Sequence, residues 1–584
     1  MTKTRDLANL GSGFLQTGAG AARRPVDSKL KDTVSVLDFG AVGDGVANDT
    51  AAIQSALNTG KSVHFPAGVY LTDPLTIPYS ARGAIYSGDG FYHYTDDRQT
   101  VIKARTNSQA HVFKVGNQGV SGSDCLTFTQ MRIDCDLKAA IGIDAEYGAF
   151  FTITDCGVYD YISYGAYHKQ GLARYDRVFM TTPQTGVSIS AVGLHLYSDS
   201  AITDSEFSGG AIAIKIVAGG NRLCNIWANS SNTSCITLTP FDNSTTHINT
   251  SLINIYAGEV LHPAGGGARP IIEIVGTTVQ NVQEVQFSNS YLVTAAGSAD
   301  KKNGGIWLNY CNTIAISNIV IRGNGLGATS TLYCDYFVRA QNSKSISITG
   351  CSIKDVNKNP IYLVTGMSQP TTIAGCSFYN WAVDANAVGA EAAAIRCGTG
   401  CGAIITGNML HVDTGSAVPY AVDAASASLI ELTGNRTSYA NSTIVNYASG
   451  TLHYIHNNNA LSSMVGFNIG NTTLGPDCTN NGKNYKSRGQ FLASGGSTTT
   501  FITFPNVAEA QTYLVSVNQA GSGFNSAFAY VALYGNLPGV QRIAQSNTNS
   551  VLDINFGFSG LNLQLILGAG FGSTNWEWVL TRLG

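Results

Sequence analysis

Charge is scarce in this chain. Only 12 % of its 584 residues are Asp, Glu, Lys or Arg, and the formal net charge is −3. Without a basic surplus there is no electrostatic footprint for a phosphate backbone, so no nucleic-acid partner is expected. Long apolar runs are missing too. None approaches the roughly 18–20 residues that span a bilayer, so no membrane insertion is expected. Met1 to Gly20 contains no apolar leader core, and no secretory signal is expected there. The 12 Cys are spread singly. Cys397 and Cys401 are the one close pair, and neither a second pair nor a His completes a zinc set. The expectation is reduced, mostly buried thiols, with no metal and no cofactor.

What the chain does hold is glycine, 65 of 584 residues. A helical protein would carry more Lys, Glu and Leu, so this composition favours strands and turns. The length exceeds what one compact core can use, which leaves two or three domains or one elongated repeat body.

From Leu126 to Ala460 one short pattern recurs: apolar, any, turn residue, any, any, apolar. The turn anchors are Gln130, Asp155, Asp176, Asp204, Asn225, Asn254, Asn289, Asn318, Gly350, Gly375, Gly407, Gly434 and Asn457. Their mean spacing is about 27 residues, a period that indicates stacked coils. All but Gln130 are Asp, Asn or Gly, the residues that best tolerate left-handed backbone angles. Two places before the anchor runs an apolar column that includes Phe128, Ile153, Ile202 and Leu223, broken only by Arg174. Three places after it runs a second, including Ile133, Val158, Phe179 and Phe207. Two inward columns flanking a turn are what a hollow parallel coil needs to fill its interior. One place after the anchor, Cys156, Cys351 and Cys376 share a column, which supports buried thiols.

Before the coils, Asp49 or Thr50 can start a short helix whose apolar face is Ile53, Ala56 and Leu57, ended by Gly60. Val63, Phe65, Val69 and Leu71 then read as strands around Pro66-Ala67-Gly68. The residues Asp38-Phe39-Gly40-Ala41, Gly43-Asp44-Gly45, Asn48-Asp49-Thr50, Ile53 and Phe65-Pro66-Ala67-Gly68-Val69-Tyr70 resemble the opening of the pectate-lyase-like superfamily found in phage tailspikes and capsular polysaccharide depolymerases. The resemblance implies an all-β protein: a right-handed single-stranded parallel β-helix whose open end the helix caps. It also implies a homotrimer, because a single β-helix leaves long flanks that such spikes bury against sister chains.

The expected organisation has four parts. Residues 1–32, polar and Gly/Ala-rich, form an extended or partner-ordered arm for attachment to a phage tail or adaptor protein. Residues 33–125 form the cap and entry region, and 126–485 the catalytic β-helix. In 486–584 six short strands (Thr500–Phe504, Thr512–Val517, Ala527–Tyr534, Val551–Phe558, Leu561–Leu567 and Trp576–Leu580) predict a C-terminal β-sandwich. The resemblance gives such a domain a role in trimerisation or carbohydrate binding.

Two places after each anchor the side chain should face outward. That column reads Gly157, Val178, Glu206, Trp227, Tyr256, Tyr291 and Val320. One acid meets three aromatics on successive rungs about 4.8 Å apart. Flat aromatic faces suit sugar rings, and a carboxyl at the end of such a platform reaches a glycosidic oxygen. Glycoside hydrolysis needs two carboxyls. Glu206 is therefore the expected catalytic acid, kept protonated by a partly apolar surround, with Asp204 or Asp176 as partner. Trp227, Tyr256 and Tyr291 are expected to bind substrate. The stretch Tyr161–Arg177 adds His168 and Arg177 as binding residues. It also leaves open a lyase route with Tyr175, His168 or Lys169 as base and Arg174 or Arg177 neutralising a uronate. Glu259, Glu273 and Glu284 are reserve acids. The expected function is depolymerisation of a bacterial capsular polysaccharide by a virion-borne spike. A non-catalytic receptor-binding spike and a secreted pectinase-like enzyme are the competing readings, and fold alone cannot choose among them.

Overall fold

The computed structural model describes residues 13–474, except 33, 92–97, 117–123, 184–185, 230–231, 241–247, 259–269, 294–303, 323–333, 382–388, 412–419, 425–426, 428, 439–442, 448–451, 457–458 and 461–472. Beyond 474 it describes the strands that lie between 486 and 582. The chain divides into two compact units: residues 1–266 with 271–285, and residues 267–270 with 286–584.

In the first unit, arm residues 13–32 turn back on themselves rather than running extended. Phe14 and Arg24 exchange backbone hydrogen bonds of 2.7 and 2.9 Å. Helix α1 (Val26–Leu30) follows, and Arg24 pairs with Asp32 at 2.8 Å. Helix α2 (Thr50–Leu57) buries Ile53, Ala56 and Leu57 against the turn Val36–Phe39 and the strand Leu75–Ile77. Asp49 does not cap it. Its carboxylate instead accepts from the backbone N–H groups of Val42 and Gly43, tying the preceding loop to the helix start.

The coils follow as expected. Strands β1 (Arg132–Asp134), β2 (Thr152–Tyr159), β3 (Arg174–Thr182), β4 (Ala201–Gly209), β5 (Asn221–Asn229) and β6 (Ile248–Gly258) pair in parallel, each with the next. Each of β2 to β6 bends midway at one residue with positive φ, which divides it between two faces of the coil. A second parallel sheet closes each coil, with Gln109–Val115, Ala139–Ala145, Tyr164–His168, Val192–Leu196, Ile212–Ile216 and Ser234–Leu238 in order. This is a parallel β-helix. The inward columns are nearly all completely buried, as at Ile153, Ile202, Leu252, Val158 and Phe207. Truncating one such Leu or Ile to Ala costs about 2–5 kcal/mol.

The anchors hold at Gln130, Asp155, Asp204, Asn225 and Asn254, all with φ between 49° and 57°. At one coil the register differs from expectation. The bend residue is Arg177 (φ 49°), not Asp176. Tyr175 and Met180 then face inward, both fully buried, and Arg174 is exposed. A left-handed Arg costs about 1–2 kcal/mol. Burying two large apolar side chains outweighs that, so the apolar columns set the register and the turn preference gives way.

The second unit repeats the scheme. Cys311–Ser317, Lys344–Thr349, Thr371–Ala374, Gly402–Thr406, Leu429–Thr433 and Leu452–His456 stack in parallel. Asn289, Asn318, Gly350, Gly375, Gly407 and Gly434 hold the left-handed bend. The anchor Asn457 lies outside the described residues. Near the C-terminus pairing turns antiparallel. Lys486–Ala493, Thr574–Arg582, Gln511–Gln519, Ser526–Tyr534 and Leu537–Ser546 form one sheet in that order. Thr498–Thr503, Asn562–Leu567 and Ile554–Ser559 pair as antiparallel neighbours. Lys486–Ala493 and Leu537–Ser546 are strands that the sequence pattern missed.

All eleven described cysteines are free thiols, and only Cys125 and Cys224 are not buried. Cys156, Cys351 and Cys376 line the inside of the bend, as their shared column suggested.

Two histidines are also buried in the first unit, His168 in the coil interior and His195 on the outer row under Tyr164 and Tyr167. His168 is completely buried, stacks on Phe151 at 6.2 Å and contacts the Gly148 carbonyl through Nε2 at 2.9 Å. His195 lies against the His168 carbonyl. Burial pushes both imidazoles down to about 4. The unfolded chain therefore binds more protons between pH 6.5 and 4, so the stability these neutral rings contribute is complete above about 6.5 and fades as pH falls to 4. The loss is of order 3 kcal/mol per ring. We expect the denaturant midpoint to drop over that interval, and His168→Leu to shrink the drop. An equal drop in the variant would contradict this.

Candidate functional site

The register correction changes the outward column on the face that follows the bend. Cα partners run Arg132–Gly157–Phe179–Glu206–Trp227–Tyr256 on six successive rungs of the first unit. Phe179 takes the place expected for Val178, because Val178 turns inward and is buried. Glu206 therefore has an aromatic neighbour on both sides. Its flanking residues Ser205 and Phe207 are buried, so the backbone holds its side chain outward. Trp227 is 48 % exposed, and its ring lies 4.8 Å from that of Tyr256. Tyr291 belongs to the second unit, where its Cα partner is Val320.

A shallow open depression of about 350 Å³ lies over this stretch, lined by Arg177, Val178, Phe179, Asp204, Ser205, Glu206, Asn225 and Trp227. It gathers Glu206, Asp204, Arg177 and Trp227 of the expected residues. Asp176 sits just outside it on the strand before the bend, opposite Thr203.

The carboxylates here are not equivalent. Arg177 donates to both oxygens of Asp155, at 2.6 and 3.0 Å, and also pairs with Asp176. The fork geometry of guanidinium allows this double engagement. It holds Asp155 below the usual carboxylate range and raises Arg177 above its ordinary value. The second oxygen of Asp176 accepts from the Thr203 hydroxyl at 2.6 Å. Asp204 accepts from Asn225 Nδ2 at 2.8 Å through Oδ1 alone, and Asn225 in turn accepts from Asn254. Asp204 thus keeps an oxygen that is unengaged among the described residues.

Below Glu206 the ladder contains a gap at Gly157. A side chain there would collide with the ring of Phe91, which comes from a loop and covers the position. Phe91 lies 6.2 Å from Tyr159, and Tyr159 lies 5.4 Å from Phe179. The Arg132 guanidinium sits 3.9 Å over the Tyr159 ring and pairs with Asp134 at 2.9 Å. Tyr159 is close enough for the Glu206 charge to help hold its hydroxyl above the ordinary range, although burial is the larger cause.

Other expected residues lie elsewhere. His168 is interior and cannot contact a polymer from outside, which corrects its assignment as a binding residue. Tyr175 is interior as well. Lys169 pairs with Glu146 at 3.1 Å. Glu273 is on the other sheet, paired with Thr237, and Glu284 stands at a left-handed position in Val282–Ser288. Glu259 is outside the described residues.

Comparison with known proteins follows the same lines. Residues 33–260 match the family described as rhamnogalacturonase A/epimerase, pectate lyase-like. A putative phage-related protein of Bacillus subtilis is 31 % identical over 140 residues, which is 24 % of this chain and 16 % of that protein. A tail spike protein of an Escherichia phage is 42 % identical over 72 residues, 12 % of this chain and 9 % of that one. These matches thus span less than a fifth of either relative. The tailspike protein of E. coli bacteriophage HK620, solved in variant form with a hexasaccharide, superposes with a TM-score of 0.55 at 10 % identity, covering the whole of both chains. Its complex with a pentasaccharide gives 0.54. The resemblance read from Asp38 to Tyr70 is borne out by the family match and by the shared tailspike β-helix fold.

The Arg177 clamp makes a testable statement. Arg177→Asn keeps a residue that tolerates the left-handed bend and is expected to shift stability by less than about 1 kcal/mol, since exposed ion pairs contribute little. Arg177→Val retains neither the clamp nor an easy bend and is expected to cost about 2 kcal/mol or more. Equal midpoints for the two variants in chemical denaturation would contradict the backbone assignment.

Proposed function

We propose that this chain is a phage tailspike that binds and cuts a bacterial capsular polysaccharide by hydrolysis. The observation that carries the reading is an outward carboxyl, Glu206, placed between aromatic faces on one ladder of a tailspike-type β-helix. Glu206 is the general acid, protonating the glycosidic oxygen. Asp204 is the partner carboxyl, preferred over Asp176 because both Asp176 oxygens are engaged. Trp227 and Tyr256 stack on sugar rings.

Hydrolysis is favoured over β-elimination by the state of the basic groups. A lyase needs a base and a cation that neutralises the uronate. His168 and Tyr175 are buried, Lys169 is paired, Arg177 already serves two carboxylates, and Arg174, though exposed, stands before the bend and does not line the depression over Glu206. Residues 1–32 attach the spike to the tail or an adaptor, so the protein acts from the virion at the host surface. The antiparallel C-terminal strands form the sandwich that aids trimerisation or carbohydrate binding.

Glu206→Gln keeps the shape and removes the titrating proton. It is expected to lower the depolymerisation rate at least ~10²-fold. Trp227→Ala should mainly raise KM. Halo formation on lawns of capsulated strains and reducing-end assays on the extracted capsule measure both. An active, folded Glu206→Gln protein would move the site elsewhere, and products carrying an unsaturated sugar would establish the lyase route instead.

We also propose a homotrimer, in which sister chains cover the flanks of the β-helix. Light scattering after size exclusion is expected to give three times 61.4 kDa. A monomer at micromolar concentration would contradict it.

A further inference from the structure

We propose that Phe91 and Phe179 form a second sugar-binding subsite, on the opposite side of Glu206 from Trp227 and Tyr256, that takes an uncharged sugar ring. The inference rests on the reading of Glu206 as the catalytic acid and adds which way the polymer lies and what it carries.

The geometry has three parts. First, Phe179 is the direct rung neighbour of Glu206, as Trp227 is on the other side. Second, the next rung carries Gly157, and the place its side chain would take is filled by the Phe91 ring. Glycine lets a loop aromatic approach the sheet closely, so the row of aromatic side chains continues past Phe179 instead of ending there. Third, Tyr159 is 5 % exposed and sits among Phe91, Phe179 and the Arg132 guanidinium. Tyr159 acts as a buttress, while Phe91 and Phe179 remain part-exposed above it.

Gly157 to Tyr256 covers four rung intervals, about 19 Å along the stack. Glu206 stands at the centre, two rungs from either end. A polymer lying along the coils then has rings stacked on both sides of the bond that Glu206 protonates. Cleavage takes place inside the chain rather than at an end.

The charges nearby indicate what the ring over Phe179 carries. Asp204 and Glu206 line the depression beside Phe179, and Asp155 and Asp176 lie at its edge against Arg177. Of the guanidinium groups beside this row, Arg177 is committed to Asp155 and Asp176 and Arg132 to Asp134, while the exposed Arg174 stands on the other side of the bend. A uronate here would meet carboxylates without a spare cation among these groups. A neutral ring presents its C–H face to Phe179 and Phe91 at no such cost.

The test uses Phe179→Leu and Phe91→Leu, which retain apolar bulk for packing and remove the flat face. The probe is polysaccharide extracted from a strain on which the purified protein forms a halo, with its fragments of one to four repeat units. Each variant is expected to raise KM roughly three- to ten-fold, with kcat falling less. In the Glu206→Gln background it should weaken fragment binding by the same factor. Wild type should release internal fragments first, and Phe179→Leu should shift the earliest products in length. An unchanged KM and product pattern in both variants, with Glu206→Gln inactive, would overturn the subsite and leave the catalytic reading intact. Activity in Glu206→Gln would overturn both. A uronate in the ring bound at Phe179, found by analysing which fragments lose affinity in the variant, would overturn the uncharged assignment.

Discussion

A left-handed residue at the same bend of successive coils, held between two inward apolar columns, is the constraint on which the rest of this structure depends. Each such residue bends a strand so that the side chains two places before it and three places after it both point into the coil. Hydrogen bonding to the coils above and below then repeats the bend rung upon rung. Side chains at the bend make their own ladder, as Asn254 donates to Asn225 and Asn225 to Asp204. The interior is filled by columns of Ile, Val, Leu and Phe, and burial there outweighs the local cost of the backbone angle.

The same bend orders the outer surface. Once inward positions are set, the residue two places after the bend must face out, and every coil adds one side chain to a straight row at a fixed spacing. A ladder of this kind can present a carboxyl among flat rings without any loop to hold it. The bend also gathers acids. Asp155, Asp176 and Asp204 come together there, and Arg177 binds the first two. The acid left with an unengaged oxygen among the described residues, Asp204, lies two residues from Glu206. The chemistry proposed for the site thus follows from which carboxylates the guanidinium occupies.

Much of this was legible in the sequence. Asp, Asn and Gly at a regular spacing, with Phe128, Ile153 and Ile202 before them and Ile133, Val158 and Phe207 after, fixed the parallel coils and placed Glu206, Trp227 and Tyr256 on one row. Two features were hidden for physical reasons. In Tyr175-Asp176-Arg177 the residue best suited to the bend is not the one that bends, because burying Tyr175 and Met180 decides the register. The sign of this was Arg174 in an otherwise apolar column. Moving the anchor by one residue would have removed it and placed Phe179 outward. Phe91 was hidden more deeply. It reaches the ladder from a loop far away in sequence, and only the glycine at 157 marks the gap it fills. His168 was misread because its stretch is polar in composition, while its alternation with Ala166 directs both residues inward.

The central claim is that a glycan lies along the coil axis over Glu206. The most direct measurement is a crystal structure of Glu206→Gln with a bound fragment of the capsule it recognises. The account requires sugar rings on Trp227 or Tyr256 and on Phe179, with a glycosidic oxygen within hydrogen-bonding distance of the residue at 206. A glycan bound only in the second unit, or across this ladder with no ring on either side of residue 206, would contradict it.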